Sequence, residues 1–337
     1  MNLFISSSNY KNTPIPMVIG LICFIAVNLV VMFLPDSTYK LQFNGAINDA
    51  VNHSGDIDVV LFEDSRGTMF HHTFFDQPTL SLASDNNTVI FSKLLYDKMD
   101  HFINWAPEVI IIVLGANNYS KNSIFTIRDF AIRRLASLSD LIEFASFRDG
   151  TSYTIDGLFS KIIPVYGRRM EIRSPSLIKN LIVNTDKITT LQGMYKMQPN
   201  ILNQDIKRNE IEDINYKLIY RRSIYANYEL SLCHTGILES LIYRGKMNGS
   251  SVVLVQLPIE QDIMDIQKEL VGDIFDDYLD KLEKDKEIIR LDMRNDIRFE
   301  MVDVNHLSFK GAHQFCNIIL NPLIDSLMYM QNDKIVN

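Results

Sequence analysis

Cysteine is scarce in this chain. Its 337 residues include three, Cys23, Cys233 and Cys316, too few for a disulfide scaffold. None stands in a C-x-x-C pair or in a Cys/His cluster with zinc-ligand spacing, so neither a metal nor another cofactor is expected. A basic balance is missing as well. The formal net charge is -8, which argues against a nucleic-acid partner. Internal repeats and low-complexity tracts are absent. With 47% hydrophobic and 22% charged residues, the chain does not have the composition of a disordered protein. Its length fits one large domain or two small ones.

What is present begins with an uncharged apolar run from Met17 to Leu34. Asn28 is its one strongly polar side chain, and Pro16 and Pro35 bracket it. The run's eighteen residues, rising about 1.5 Å each, cover roughly 27 Å as a helix, enough for an average or thin hydrocarbon core. The expectation is a transmembrane anchor over residues 16–35 behind a short tail, residues 1–15. A cleaved signal peptide is the rival. It usually has a basic start and a small-residue cleavage site, whereas here only Lys11 precedes the run and no A-x-A pattern follows it. Lys11 and the terminal amine before the run, against Asp36 and Lys40 after it, favour the N-terminus inside. Residues 36–337 are then one extracytoplasmic domain, periplasmic or at the cell surface. Cys316 sits in an apolar helical stretch, where a buried thiol is the simplest reading.

Residues 36–56 read as a connector. Ile57–Phe62 is an apolar run rich in β-branched residues and reads as a buried strand, and Thr79–Ala83 is a second strand candidate. Glu108–Leu114 is the strongest strand. Its lack of alternation predicts a strand covered on both faces, as in a parallel sheet. Ser251–Leu257 and Glu287–Leu291 complete the set. Helices are expected over 90–105, 124–145, 261–285 and 308–330. Strands alternating with helices predict an α/β domain with a mostly parallel sheet, interrupted by an insertion at about 120–250. Residues 160–222 are locally basic. They read either as a solvated, mostly helical insertion or as a lid facing anionic lipid headgroups or an acidic glycan.

In parallel sheets, sites form beyond the carboxyl ends of the strands. Ser65 follows the first strand, Asn117 follows the third, and Asp303 and His306 stand before the last helix. The blocks VVLFEDSRG (59–67), IIIVLGANN (110–118) and DVNHLSFKGA (303–312) resemble, in order and context, the first, third and last blocks of the SGNH (GDSL-like) hydrolase superfamily. The resemblance covers about 57–117 and 250–330. It implies a three-layer, flavodoxin-like α/β domain.

The resemblance also implies roles. Ser65 is the nucleophile, His306 its general base, and Asp303 the residue that holds the imidazole in the right tautomer. The Ser65 backbone N–H and the Asn117 amide serve as oxyanion donors. The second block lacks its usual glycine, and Ala83 or Ser84 lies nearest the third donor position, with Ser84 taken as that donor. Arg66 and Gly115 are assigned to substrate binding. Glu63 replaces the glycine of Gly-Asp-Ser; it either disfavours an incoming acid or pairs with Arg66. Asp64 reads as a structural hydrogen-bond partner. His53, His71, His72, His101, His234 and His313 receive no catalytic role.

An anchor ahead of such a domain resembles a membrane-linked branch of the superfamily, which includes teichoic acid D-alanine-transfer proteins and the acetyltransferases of alginate and cellulose. That resemblance implies a serine acyl- or acetyltransferase acting on a cell-envelope polysaccharide. Its implied partners are the polysaccharide or its acyl donor, a multi-span membrane O-acyltransferase, and the membrane itself. A membrane-tethered carbohydrate esterase would use the same triad with water as acceptor. A non-catalytic glycan-binding or assembly subunit is the third reading.

Overall fold

The computed structural model describes residues 14–33, 43–45, 47–48, 51, 57–62, 66, 69–82, 88–103, 106–121, 131–168 and 211–336. Among these residues five strands form one parallel sheet: β1 (Val59–Phe62), β2 (Thr79–Ser81), β3 (Val109–Val113), β4 (Ser251–Gln256) and β5 (Ile289–Asp292). Their order is β2-β1-β3-β4-β5, the doubly wound order in which the chain reverses its direction of winding between β1 and β3. Val59 stands opposite Val109, and Ile110 opposite Val252. The helices, in chain order, are α1 (Pro14–Met32), α2 (Val89–Ile103), α3 (Leu138–Ser146), α4 (Thr151–Ile162), α5 (Pro164–Gly167), α6 (Ile211–Tyr225), α7 (Leu232–Met247), α8 (Gln261–Leu270), α9 (Ile274–Lys286), α10 (Phe309–Phe315) and α11 (Asn321–Val336).

Successive side chains of a strand point to opposite faces, and here both sets are apolar. Val60, Phe62, Ile110, Ile112, Val252 and Leu254 face one hydrophobic cluster with residues of α2, α7, α8 and α9. Val59, Leu61, Val109, Ile111, Val253 and Val255 face a second cluster with residues of α10 and α11. The result is three layers, helix–sheet–helix, and it explains why the strands read as unbroken apolar runs. On α7, Gly245 permits close approach to the sheet, because a Cβ there would lie 2.6 Å from Ile110 Cδ1.

The structure revises several element boundaries. The helix expected over 261–285 is two, α8 and α9, separated at Gly272, whose φ of +60° suits glycine. The helix expected over 124–145 starts, among the described residues, as a π-turn at Ala131–Leu135. It restarts as α3 behind a capping box between Ser137 and Asp140. The helix expected over 308–330 is α10 and α11 joined by a π-turn, Cys316–Leu320. Cys233 and Cys316 are both fully buried.

Among the described residues no helix is long and apolar enough to cross a membrane. The described side chains of α1 run from Met17 to Met32. Most are exposed, including Met17, Ile19, Leu21, Ile22 and Val30. Asn28 and Val31 are the exceptions. Asn28 Oδ1 accepts the Val165 N–H at 3.0 Å. That N–H lies in the first turn of α5 and has no partner within its own helix, so the polar residue of the apolar run seats α1 on the domain.

The helices between β3 and β4 are held to the α/β layers by a buried ion cluster. Lys93 on α2 is fully buried, with Nζ 2.8 Å from Asp97, 3.2 Å from Asp140 and 2.5 Å from Glu143. Arg244 on α7 adds a 2.7 Å contact to Asp97. Burial works against the Lys93 charge, but Asp97 and Glu143 outweigh it and hold the pKa above its ordinary value. Burial pushes the Asp97 carboxyl up despite Lys93. At Asp140 burial acts in the same direction, but the Ser137 hydroxyl and N–H and the Lys93 ammonium prevail and hold it below the usual carboxylate range. Removing one partner of such a cluster strands the others. Lys93→Met is therefore expected to lower unfolding stability by roughly 3–5 kcal/mol in urea titration. A loss under about 1 kcal/mol would show that the cluster carries no such weight.

Candidate active site

Because all five strands run the same way, their carboxyl ends share one edge. The edge above β4 carries the Asp303–His306 pair. Asp303 Oδ1 accepts the backbone N–H of Asn305 at 3.0 Å and of His306 at 2.9 Å. Its two carboxylate oxygens lie 2.8 and 2.9 Å from His306 Nδ1. One carboxylate thus shapes the loop and orients the ring. The arrangement calls for a proton on Nδ1 donated to Asp303, which leaves proton exchange to Nε2. Both side chains are 18% exposed, largely withdrawn from water yet open to a ligand.

The loop is closed on itself and tied to the sheet. Val302 N–H donates to His306 O at 2.9 Å, and Met301 pairs with Leu307 in an isolated antiparallel bridge. Ser308 N–H donates to Glu300 O at 2.8 Å, and the Ser308 hydroxyl caps α10 by accepting the Gly311 N–H at 3.0 Å. Gly311 is required by this packing, since a Cβ there would lie 2.1 Å from Glu300 O. Glu260 N–H donates to Val304 O at 2.9 Å, which fixes the loop to the segment leaving β4.

Above β3 the chain turns through Leu114 and Gly115 into a 3-10 turn, Ala116–Tyr119. Asn117 is buried, and its Nδ2 donates to Asn118 Oδ1 at 2.9 Å. The turn is secured from the far end of the insertion. Ser231 N–H donates to Tyr119 O at 2.8 Å, and Lys121 N–H to Glu229 O at 2.8 Å. His234 is fully buried, with Nδ1 2.9 Å from Asn118 O and Nε2 3.3 Å from the Tyr153 hydroxyl. The sequence offered no partner for His234, and the structure supplies two, 116 and 81 residues away in the chain. No local pattern could have revealed them.

Arg66 and Gly115, assigned from sequence to substrate binding, are both buried, and they meet each other. Arg66 donates from Nη1 to Leu114 O at 3.0 Å. Its guanidinium lies so close over Gly115 that a Cβ there would fall 2.3 Å from both terminal nitrogens. The pair therefore fastens the turn after β1 to the turn after β3. Ser65, Ser84, Ala83, Glu63 and Asp64 lie outside the described residues, as does any Glu63–Arg66 ion pair. Two adjoining cavities, about 360 and 210 Å³, share Met264, Arg294 and Asn295. One reaches Glu260, Phe299 and Met301 beside the Asp303–His306 loop, and the other reaches Ala116 beside Asn117. Arg294 was not singled out from sequence. It is held here by Asp276 at 2.9 Å and Asp292 at 2.5 Å.

His71, His72 and His313 have structural surroundings, while His53 lies outside the described residues. His71 caps the short 3-10 turn His72–Phe74 and lies beside His72, ring centres 4.1 Å apart and planes tilted by 35°. Burial lowers the pKa of both, and at His71 the neighbouring His72 adds to it. His313 packs on Phe74 at 4.8 Å. Among the described residues no three His, Cys, Asp or Glu side chains are grouped to hold a metal ion.

Compared with models of known protein families and with curated proteins, the chain matches none.

The Arg66–Gly115 contact yields a direct test. Gly115→Ala drives a methyl into the guanidinium and is expected to cost about 1–3 kcal/mol of stability. Combining it with Arg66→Ala should cost less than the sum of the single changes by at least about 0.5 kcal/mol, measured as a double-mutant cycle in urea. Strict additivity would show that the two residues do not press on each other.

Proposed function

We propose that the chain is a membrane-anchored SGNH-type serine acyl- or acetyltransferase acting on a cell-envelope polysaccharide. The observation that carries the reading is the Asp303–His306 pair, preformed at 2.8 Å on the edge where the strands preceding Ser65 and Asn117 also end. Ser65 would supply the nucleophilic hydroxyl. In the first half-reaction its oxygen attacks the acyl carbonyl of the donor ester while His306 Nε2 takes the proton. Collapse of the tetrahedral intermediate breaks the donor's acyl C–O bond, and His306 returns the proton to the departing alkoxide. In the second half-reaction a sugar hydroxyl gives its proton to His306 and attacks the acyl-serine, and Ser65 leaves with that proton. Asp303 stabilises the imidazolium in both halves. The Asn117 amide and the Ser65 N–H meet the oxyanion, with Ser84 as the candidate third donor.

The apolar, uncovered surface of α1 supports the anchor, and residues 36–337 are placed outside the cytoplasm on the charge bias around it alone. An anchor favours transfer to an envelope acceptor, delivered through a multi-span O-acyltransferase partner, over release of a soluble product. A tethered esterase differs only in admitting water to the acyl-serine.

The test uses the full chain in membranes and a fluorescent fluorophosphonate. The parent should label, and Ser65→Ala and His306→Ala should not. Asp303→Asn is expected to slow labelling roughly 10³–10⁴-fold, and Asn117→Ala to slow turnover of an acetyl ester about 10²–10³-fold. Acetyl transfer to an added oligosaccharide, against release of free acetate, then separates transferase from esterase. A folded parent that never labels would sink both enzymatic readings in favour of a glycan-binding subunit.

A further inference from the structure

The helix α4 is amphipathic in the wrong sense for a helix in water. Its inward side carries small and polar residues. Gly157 admits Leu141 of α3, since a Cβ there would lie 2.3 Å from Leu141 Cδ2, and Ser160 is buried. Asp156 pairs with buried Arg133 at 2.6 Å and also bonds the Tyr166 hydroxyl. The outward side carries Ile155, Leu158, Phe159 and Ile162, at the three- and four-residue spacing of one helix face. Ile162 is 76% exposed and Phe159 51%. On α3, which packs beside α4, Leu138 and Ile142 are also outward, Ile142 at 72% exposure. No exposed residue of α3 or α4 is acidic, and the one exposed charge is Lys161. The acids of these helices are turned inward: Asp140 and Glu143 to Lys93, and Asp156 to Arg133.

This face continues into α1. After Ile162 the chain enters α5, which packs on α1 and receives the Asn28 hydrogen bond. Two apolar surfaces, one around α1 and one along α3 and α4, are thus joined by a polar hinge buried between them. We propose that the α3–α4 face is immersed in the interfacial zone of the same lipid bilayer that holds α1. The domain then lies flat on the membrane instead of hanging from a tether. A bilayer suits the pattern better than a protein groove. The apolar residues span two adjacent helices, a lysine accompanies them, and they run on towards the exposed apolar side of α1. The placement also bears on the site. Tyr153, in the first turn of α4, bonds His234, which holds the turn bearing Asn117. The immersed face would therefore bring the strand-end edge close to lipid, where an acyl donor dissolved in the membrane is within reach. The inference rests on the anchor reading, and its test separates the two.

The test uses the full chain in vesicles of phosphatidylcholine and phosphatidylglycerol, with an environment-sensitive nitrobenzoxadiazole label on single cysteines. Native Cys23 on α1 is exposed and reports on the anchor, while Cys233 and Cys316 are buried and spared. In a Cys23→Ser background, labels go to Ile142→Cys, Phe159→Cys and, as a water-facing control, Tyr329→Cys on α11 in the opposite helix layer, whose parent residue is 69% exposed. Nitroxide-bearing lipid should quench the labels at 23, 142 and 159 about twofold or more, as expected for groups 5–10 Å into the interface, and leave 329 unchanged. Quenching at 23 with 142 and 159 open to aqueous iodide overturns this inference alone. A label at 23 in water overturns the anchor as well. Labels at 142 and 159 that are shielded from iodide yet untouched by the lipid nitroxide overturn the bilayer as occupant and assign the face to a protein surface.

Discussion

The parallel direction of the five strands is the constraint on which everything else in this molecule depends. Parallel strands cannot be joined by tight hairpins, so each connection must cross a face of the sheet, and both faces become covered. That coverage explains why β1, β3 and β4 are apolar at almost every position, with Val59, Val60, Leu61 and Phe62 all buried. It also gathers every carboxyl end on one edge. Polar residues placed just after a strand, however far apart in the chain, arrive in one neighbourhood. The order β2-β1-β3-β4-β5 opens a crevice between β1 and β3, where the connections diverge to opposite faces.

That edge is stiffened by contacts buried beneath it. The Asp303 carboxylate binds two backbone N–H groups as well as His306 Nδ1, so the ring's orientation is set by the same charge that shapes the loop. Arg66 crosses from the turn after β1 to the carbonyl of Leu114 and lies over Gly115. His234 reaches from α7 to the carbonyl of Asn118. Each contact satisfies a buried polar group, and leaving such a group unmet costs more than the bond gains. Rigidity at the strand ends is therefore tied to the stability of the fold, which is what a preorganised site requires.

The segment between β3 and β4 is joined to this core by charge, through Lys93, and is braced internally by the Asp149 carboxylate, which accepts the Ser231 hydroxyl at 2.9 Å and the Leu232 N–H at 3.0 Å at the start of α7. Its inward side is unusually polar and its outward side unusually apolar. In a helix pair built this way the inner polar groups must be matched, as Asp156 and Arg133 are, because an unmatched buried charge is costly.

Much of the architecture was legible in the amino-acid sequence by itself. Unbroken β-branched runs determined the strands β1, β3 and β4, because a strand covered on both faces has no polar side to show. The Asp303-x-x-His306 spacing determined a local pair, since two side chains three residues apart in a tight loop meet without help from the rest of the chain. Helix ends were less legible. The break between α8 and α9 at Gly272 and the π-turns at Ala131–Leu135 and Cys316–Leu320 are adjustments to packing that leave the apolar periodicity nearly intact. Tertiary structure alone decided that Arg66 and Gly115 press on each other, that His234 has partners, and that Ile155, Phe159 and Ile162 point away from the core. The reason is physical. The first two are contacts between residues distant in the chain, and the third concerns direction. An apolar stripe at helical spacing is the same pattern whether it faces the protein interior or the outside of the molecule, and only the position of the neighbouring layers tells which.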